Sequence, residues 1–169
     1  LKNLKNSLKS KKFSFFKSDI RNYKKIEKYF KKVDVVFHLA ALSDVVPSIE
    51  EPLEYLDTNI MGTVNILEAM RKNKVKKIIY AASSSCYGIP KNFPTDEKTL
   101  INLMYPYSFS KNIGEQTIQH WSKIYKIDFV SLRLFNVYGI RSRSNSSYGA
   151  ALGVFLKQKL SNHPFTVIG

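Results

Sequence analysis

The sequence feature that most constrains the fold is the apolar run at residues 33–41, which is nearly continuous rather than alternating. A strand with apolar side chains on both faces is typical of a parallel sheet covered on both sides. Similar runs occur at 77–82 and 129–135, and between the runs lie two stretches, 52–72 and 105–125, with apolar residues at helical spacing. Buried strands that alternate with helices predict right-handed βαβ crossovers and a doubly wound parallel α/β sheet.

Shorter segments extend this pattern at both ends of the chain. The aromatic run 13–16 is predicted to be a strand, and 23–30 a helix. Near the other end, 148–160 reads as a helix and 165–168 as a strand. The polar segment around Pro47 is predicted to be a loop.

Composition excludes several classes of protein. Cys86 is the single cysteine, so no disulfide can form within the chain, and a cytoplasmic location is predicted. The three histidines are scattered, and no metal site is predicted. No apolar run approaches the roughly 18 residues that a membrane span needs, so no membrane partner is expected.

The formal net charge of +14 is concentrated at one end of the chain. Residues 1–32 contain eleven lysines and Arg21 against Asp19 and Glu27, which is a net charge of +10. Lysine outnumbers arginine 22 to 5, whereas base reading and bidentate phosphate contacts favour arginine. A solvated lysine-rich surface is therefore favoured over a nucleic-acid site.

Small, polar and hydroxylated residues follow each predicted strand. They include Asp19, the segment 38–44, the serines 83–85 and the segment 136–139. Ligands of doubly wound sheets bind beyond the carboxyl ends of the strands, so these residues are the candidates for a binding site.

Tyr107 and Lys111 lie four residues apart near the start of a predicted helix, so their side chains share one helix face. A cation close to a phenol favours the phenolate, and the pair is therefore expected to lower the pKa of Tyr107 toward the working range of a base. Ser83, at the end of a buried strand, can offer a hydroxyl to the same substrate oxygen.

Six segments in this order resemble the extended short-chain dehydrogenase/reductase family, and within it the nucleotide-sugar epimerases. The resemblance covers most of the chain and implies a Rossmann-like fold with NAD as cofactor. The segments are Asp19-Ile20, His38-Leu39-Ala40-Ala41, Asn59-Ile60-Met61-Gly62-Thr63, residues 81–88 (Ala-Ala-Ser-Ser-Ser-Cys-Tyr-Gly), residues 106–111 (Pro-Tyr-Ser-Phe-Ser-Lys) and residues 133–139 (Arg-Leu-Phe-Asn-Val-Tyr-Gly).

The resemblance implies a role for each matching position. Tyr107 would be the active-site base, Lys111 would bind the nicotinamide ribose and tune Tyr107, and Ser83 would hydrogen-bond the reacting hydroxyl. Besides Tyr107 and Lys111, the cofactor would contact Asp19, Ile20, Leu39, Ala40, Ala41, Asn59 and Phe135, and the nucleotide-sugar would contact Ser43, Ser83, Ser84 and Asn136.

The implied reaction is epimerisation of a nucleotide-sugar, such as a UDP-hexose, at C4 through a 4-keto intermediate. Related dehydratases have Thr-Asp-Glu where this chain has Ser83-Ser84-Ser85, because elimination of water needs an extra acid and base. Without a carboxylate there, the serines favour an epimerase. A dehydratase or reductase on the same scaffold stays an alternative, as does a noncatalytic nucleic-acid-binding module.

The sequence departs from the family in one motif. None of its seven glycines forms the Gly-x-x-Gly-x-x-Gly turn that approaches the pyrophosphate. We therefore expect a chain truncated at both ends: 1–148 would be a partial NAD-binding domain with the catalytic centre, and 149–169 the start of the substrate lobe. Negligible activity and weak NAD affinity are expected of the isolated chain, and a homodimer of the full-length protein.

Overall fold

The computed structural model describes residues 2–140 and 151–166. The chain divides into two compact units, Lys17–Phe135 and a second unit that comprises Leu1–Phe16 and Asn136–Gly169. The predicted domain boundary between 148 and 149 lies outside the described residues.

A three-stranded parallel sheet organises the unit Lys17–Phe135. Strands β1 (Val35–His38), β2 (Lys77–Ala81) and β3 (Asp128–Leu132) follow one another in that order. All pairs are parallel, as the alternation of strands and helices predicted. The first and third strands are shorter than the apolar runs that predicted them, because the chain beyond His38 and Leu132 leaves the sheet.

The helices of this unit occupy the predicted connections. The predicted helix 52–72 is continuous but contains one turn of π-helix. The predicted helix 105–125 begins at Pro106. Proline is favourable in the first turn, because the backbone N–H that it lacks would have no hydrogen-bond partner there. The helical segments are α1 (Tyr23–Ile26) with a 3₁₀ turn (Glu27–Phe30), α2 (Val45–Glu50), α3 (Pro52–Leu56), the π turn (Asp57–Met61), α4 (Gly62–Lys72), a second 3₁₀ turn (Ser84–Tyr87) and α5 (Pro106–Tyr125).

Two predicted elements are wrong. The segment around Pro47 is not a loop: it forms α2, because a proline is tolerated in the first turn, where N–H groups have no intrahelical partner. The run 13–16 forms no strand in this structure, and its aromatic side chains Phe13, Phe15 and Phe16 are exposed.

The second unit contains 3₁₀ turns at Lys2–Leu4 and Ser7–Lys9 and helix α6 (Ala151–Leu160). The rings of Phe155 and Phe165 lie 5.5 Å apart. The helix predicted over 148–160 is confirmed from residue 151, and its first residues lie outside the described part of the chain. Residues 165 and 166 form no strand, and the rest of the strand predicted at 165–168 is not among the described residues.

The apolar core lies on one face of the sheet. Leu67 and Met70 of α4 and Ile118 of α5 pack against Ile78 and Tyr80 of β2. The opposite face is apolar but not covered, since Phe37 remains 65% exposed. The expectation that both faces are covered is therefore wrong for this structure, because α4 and α5 pack on the same side. None of the described helices has the length and apolar character needed to cross a membrane.

Candidate active site

Ser83 and Tyr107 meet at the carboxyl end of β2. Ser83 precedes the 3₁₀ turn Ser84–Tyr87, and its hydroxyl accepts the backbone N–H of Ser85 at 3.2 Å. The Ser85 hydroxyl lies 2.8 Å from the same oxygen. The Ser83 hydroxyl also lies close to the side chain of Tyr107 and lowers the pKa of the phenol. The structure thus brings together two residues that the sequence placed 24 positions apart.

Tyr107 is held by the helix that the sequence had predicted to be a loop. Its backbone N–H donates to the hydroxyl of Ser48 on α2 at 3.1 Å, and Ser48 is fully buried. Its ring meets the ring of Tyr55 on α3 edge to face, with the centroids 6.5 Å apart. Both contacts fix the direction in which the phenol leaves the first turn of α5.

The expected lowering of the Tyr107 pKa is not what this structure shows. Burial raises the pKa of Tyr107 above its ordinary value, and the nearby Ser83 hydroxyl offsets only part of that rise. Lys111 does not contribute, because its ammonium group lies over the ring of Tyr80, 4.2 Å from the centroid. The prediction from the four-residue spacing is therefore wrong for the chain without ligands: the spacing places both residues on α5, but it does not decide where the lysine points.

Lys111 is a buried cation, only 3% exposed. Burial lowers its pKa to about 8, because the charged form loses hydration. Within the described part of the chain, no carboxylate forms an ion pair with it. At neutral pH the site therefore has a positive charge at the position where the family resemblance places the ribose-binding lysine.

Asn59 joins the loop after β1 to the first turns of α5. Its side-chain oxygen accepts the N–H of Leu42 at 2.9 Å, and its side-chain nitrogen donates to the Leu42 carbonyl at 3.0 Å and to the Ser110 hydroxyl at 2.9 Å. Ser110 in turn donates to the carbonyl of Tyr107. The amide is buried and both its oxygen and its nitrogen have hydrogen-bond partners, so Asn59 positions the loop after β1 against α5, and its predicted cofactor contact stays a prediction. Its location in the π turn fits the tendency of such turns to occur at functional sites.

His38 closes the polar layer behind this loop. Its ring nitrogen lies 2.8 Å from the hydroxyl of Thr63, which itself donates to the carbonyl of Asn59. Burial, with a smaller effect of Lys111, lowers the pKa of His38 to about 4. His38 is therefore a neutral, packed histidine in this structure.

A cleft of about 1010 Å³ opens between the segment around Asp19 and the loop after β1. Four predicted cofactor residues line it, namely Asp19, Ile20, Ala40 and Ala41. Its volume is at the upper end of the range for small-molecule pockets, and the two alanines leave room for a close approach to the backbone. These features fit one half of a dinucleotide. Arg21 pairs with the Asp19 carboxylate at 2.7 Å and lowers its pKa.

The remaining predicted contacts are less constrained. Leu39 and Ser43 are exposed on the loop after β1, and Ser84 is partly buried beside Ser83. Phe135 is exposed and stacks on Tyr87, with the ring centroids 6.4 Å apart. Asn136 belongs to the other compact unit. Neither the structure nor the burial pattern tests their predicted contacts.

A buried ion pair beside the site was missed by the sequence reasoning. Glu115, which is 4% exposed, accepts from Arg133 at 2.8 and 3.1 Å. Arg133 also donates to the Tyr87 hydroxyl at 3.1 Å and lies over its ring. The Glu115 carboxylate raises the pKa of Arg133. The available signal was the position of Glu115 four residues after Lys111, which puts it on the same face of α5.

The comparisons with known proteins agree with this geometry. The sequence profile of the NAD dependent epimerase/dehydratase family matches residues 1–169. A putative UDP-glucose 4-epimerase of Methanocaldococcus jannaschii is 39% identical over 160 residues, which is 94% of this chain and 52% of that protein.

Two solved structures are similar in fold. The UDP-N-acetylglucosamine 4-epimerase of Methanobrevibacter ruminantium M1, in complex with UDP-N-acetylmuramic acid, has a TM-score of 0.87 at 35% identity, over 91% of this chain and 49% of that one. The UDP-glucuronic acid 4-epimerase of Bacillus cereus, in complex with NAD, has a TM-score of 0.85 at 33% identity, over 99% and 52%. The chain spans about half the length of these relatives. With a Rossmann-like parallel sheet and a family match over its whole length, the chain belongs to the NAD-dependent epimerase/dehydratase family.

Proposed function

We propose that this chain carries the catalytic centre of an NAD-dependent nucleotide-sugar 4-epimerase that acts on a UDP-hexose such as UDP-glucose or UDP-N-acetylglucosamine. The observation that carries the proposal is the convergence of Ser83, at the carboxyl end of β2, with Tyr107 and the buried cation Lys111 in the first turns of α5. Similar proteins of about twice the length are named as UDP-sugar 4-epimerases.

The residues of the chain divide the chemistry between them. Tyr107 takes the proton of the sugar C4 hydroxyl and later returns it to the C4 oxygen. Ser83 hydrogen-bonds the same oxygen and keeps it aligned with the phenol. NAD, when bound, supplies reversible hydride acceptance at C4. Lys111 binds the ribose hydroxyls of the cofactor through its ammonium group.

Asp19, Ile20, Ala40 and Ala41 would hold the adenosine half of the cofactor, because they line the cleft of about 1010 Å³. Leu39 and Phe135 would contact the half that carries the nicotinamide. Ser43, Ser84 and Asn136 would contact the nucleotide-sugar. Asn59 would act indirectly, by fixing the Leu42 backbone that forms part of the cleft wall.

An epimerase is favoured over a dehydratase by the chemistry of the segment after β2. Ser84 and Ser85 supply only hydroxyls, and elimination of water needs an additional acid and base at these positions. We also expect the protein to be cytoplasmic, to form a homodimer and to bind no nucleic acid; the single cysteine and the lysine-rich but arginine-poor composition support the first and the last of these.

The test uses a chimaera in which this chain replaces the matching half of the Bacillus cereus UDP-glucuronic acid 4-epimerase, assayed with UDP-glucuronic acid. Tyr107→Phe is expected to lower kcat by about a hundredfold or more, because it removes the general base. Tyr125→Phe makes the same chemical change at the far end of α5 and is expected to leave kcat unchanged. Equal turnover in Tyr107→Phe and the parent chimaera would contradict the proposal.

Product analysis separates the alternatives. A 4-keto-6-deoxy product would indicate a dehydratase, and net turnover of nicotinamide a reductase. Salt-resistant, sequence-selective binding of DNA or RNA by the 169-residue chain would favour the noncatalytic module, since binding through lysine charge alone weakens steeply with salt.

A further inference from the structure

The ammonium group of Lys111 lies over the face of a buried aromatic ring. Its Nζ atom is 4.2 Å from the centroid of the Tyr80 ring, and Tyr80 is 1% exposed. A cation within about 6 Å of a ring centroid is attracted by the negative face of the ring, and the attraction grows when both groups are removed from water. The ring is therefore a favourable partner for a lysine with no paired carboxylate in the described residues.

The Tyr80 ring is fixed in place by its surroundings. It projects from β2 toward α5, where Gly114 leaves room for it: a Cβ atom at Gly114 would lie 2.5 Å from the Tyr80 hydroxyl oxygen. The ring of His38 packs against it with the centroids 5.4 Å apart, and Thr63 holds His38 in turn. The hydroxyl of Tyr80 donates to the Lys111 carbonyl at 3.4 Å, which is long for an O–H donor. The ring face therefore contributes more to the attraction between Tyr80 and Lys111 than the hydroxyl does.

The titratable groups that face Lys111 are uncharged or already paired at neutral pH. Burial lowers the pKa of His38 on β1 to about 4 and raises the pKa of the Cys86 thiol to about 11. Glu115, one turn further along α5, is bound by Arg133. The ring of Tyr80 thus contacts the ammonium with its negative face, although the ring itself is uncharged.

We propose that Tyr80 is a positioning residue for the catalytic centre, whose ring face holds the Lys111 ammonium one helical turn from Tyr107. This role rests on the proposed function, in which Lys111 binds the cofactor ribose. The ring holds the lysine without neutralising it, so the positive charge stays available to the ligand. A carboxylate in the same place would pair with the ammonium and compete with the ligand.

The first experiment measures the pKa of the Lys111 Nζ by NMR in the 169-residue chain, with the signal assigned through its loss in Lys111→Arg. The wild-type value is expected to be about 8. Tyr80→Phe keeps the ring face and is expected to keep this value. Tyr80→Met keeps an apolar side chain of similar length without the ring and is expected to lower the pKa by about one pH unit, because the desolvated ammonium loses its partner.

Phe30→Leu, which removes a buried aromatic ring elsewhere in the core, is the matched control and is expected to leave the Lys111 pKa unchanged. An unchanged or raised pKa in Tyr80→Met would overturn the proposal. A second measurement does not depend on a destabilising variant: the ε-methylene protons of Lys111 are expected to resonate upfield in the wild type and in Tyr80→Phe, because the Nζ atom bonded to that methylene lies 4.2 Å from the ring centroid. Random-coil shifts for these protons would also overturn it.

Activity provides a third measurement, in the Bacillus cereus chimaera. Tyr80→Met is expected to lower kcat by about tenfold with KM for the sugar nucleotide unchanged, and to move the alkaline loss of activity to lower pH, while Tyr80→Phe restores both. Unchanged turnover in Tyr107→Phe would refute the proposed function and leave the Lys111 titration as it is. Loss of turnover in Tyr107→Phe, together with a wild-type Lys111 titration in Tyr80→Met, would refute the role of Tyr80 alone.

Discussion

Two arginine–carboxylate pairs lie in regions that differ in their exposure to solvent. Arg133 and Glu115 join the end of β3 to the middle of α5, with side chains 21% and 6% exposed. Arg21 and Asp19 lie two residues apart at the rim of the cleft, with side chains 38% and 48% exposed. Both arginines make two or more hydrogen bonds to their carboxylates, so the contacts alone do not distinguish the pairs.

The difference lies in what surrounds each pair. Water and salt screen the pair at the cleft rim, and a bound ligand can replace the arginine as a partner of Asp19. The pair of Glu115 and Arg133 is more enclosed, and removal of one partner leaves the other with little hydration. We infer that this pair and the buried residues His38, Tyr80 and Lys111, together called the interior layer, stabilise the fold and orient the candidate catalytic residues, while the rim stays free to adapt to a ligand.

The largest expected effect is on the buried pair. Glu115→Gln removes the charge that balances Arg133 and is expected to lower the free energy of unfolding by on the order of 3 kcal/mol. Urea unfolding of the 169-residue chain measures it. The control is Glu68→Gln, which removes the charged partner of Arg71 on the surface of α4. It is expected to lower the free energy of unfolding much less. Equal losses in the two variants would contradict the distinction between the regions.

The next effect is the loss of stability in acid. His38 has a pKa of about 4 in the folded chain and an ordinary value of 6.5 when unfolded, so between these values the unfolded chain binds more protons. The free energy of unfolding is therefore expected to fall by about 3 kcal/mol as the pH decreases from 6.5 to about 4. Thermal unfolding from pH 7 to 4 measures this loss.

His38→Gln is expected to remove most of this pH dependence, whereas His120→Gln, at an exposed position on α5, is expected to keep it. If His38→Gln loses stability in acid as steeply as the wild type, other groups in the chain are responsible.

Gly114→Ala is expected to have an intermediate effect. Its Cβ atom would lie 2.5 Å from the Tyr80 hydroxyl oxygen, so the ring or α5 must move, and a cost of about 1–3 kcal/mol is expected despite the higher helix propensity of alanine. Gly62→Ala is the matched control: its Cβ would meet the end of the Ile20 side chain, which can rotate away. A comparison of the melting temperatures of Gly114→Ala and Gly62→Ala tests whether the interior layer accommodates an added methyl group less easily than the surroundings of Gly62 do.

The smallest expected effect is on the exposed pair. Asp19→Asn removes a carboxylate that is open to solvent, and we expect no measurable change in the midpoint of urea unfolding. The same variant is expected to weaken NADH binding in the chimaera, measured by fluorescence titration, because the carboxylate lines the cleft. A clear loss of stability in Asp19→Asn would remove the contrast between rim and interior.

The sequence alone predicted the architecture because it depends on local patterns. Long apolar runs separated by helical periodicity are typical of parallel βαβ units, and the three strands and the helices over 52–72 and 105–125 are confirmed. The predicted neighbours Ser83 and Tyr107 are also brought together, since the carboxyl ends of parallel strands share one edge of the sheet.

Tertiary structure decided where the charged and polar side chains of the site point. The spacing of Tyr107 and Lys111 put both on α5, but the gap at Gly114 and the Tyr80 ring determine that the ammonium lies over an aromatic face. Likewise, the tertiary structure decided that the Asn59 amide hydrogen-bonds the Leu42 backbone. Such outcomes depend on which buried groups find partners across elements distant in sequence, because an unpaired polar group in the interior is costly, and no local pattern encodes that pairing.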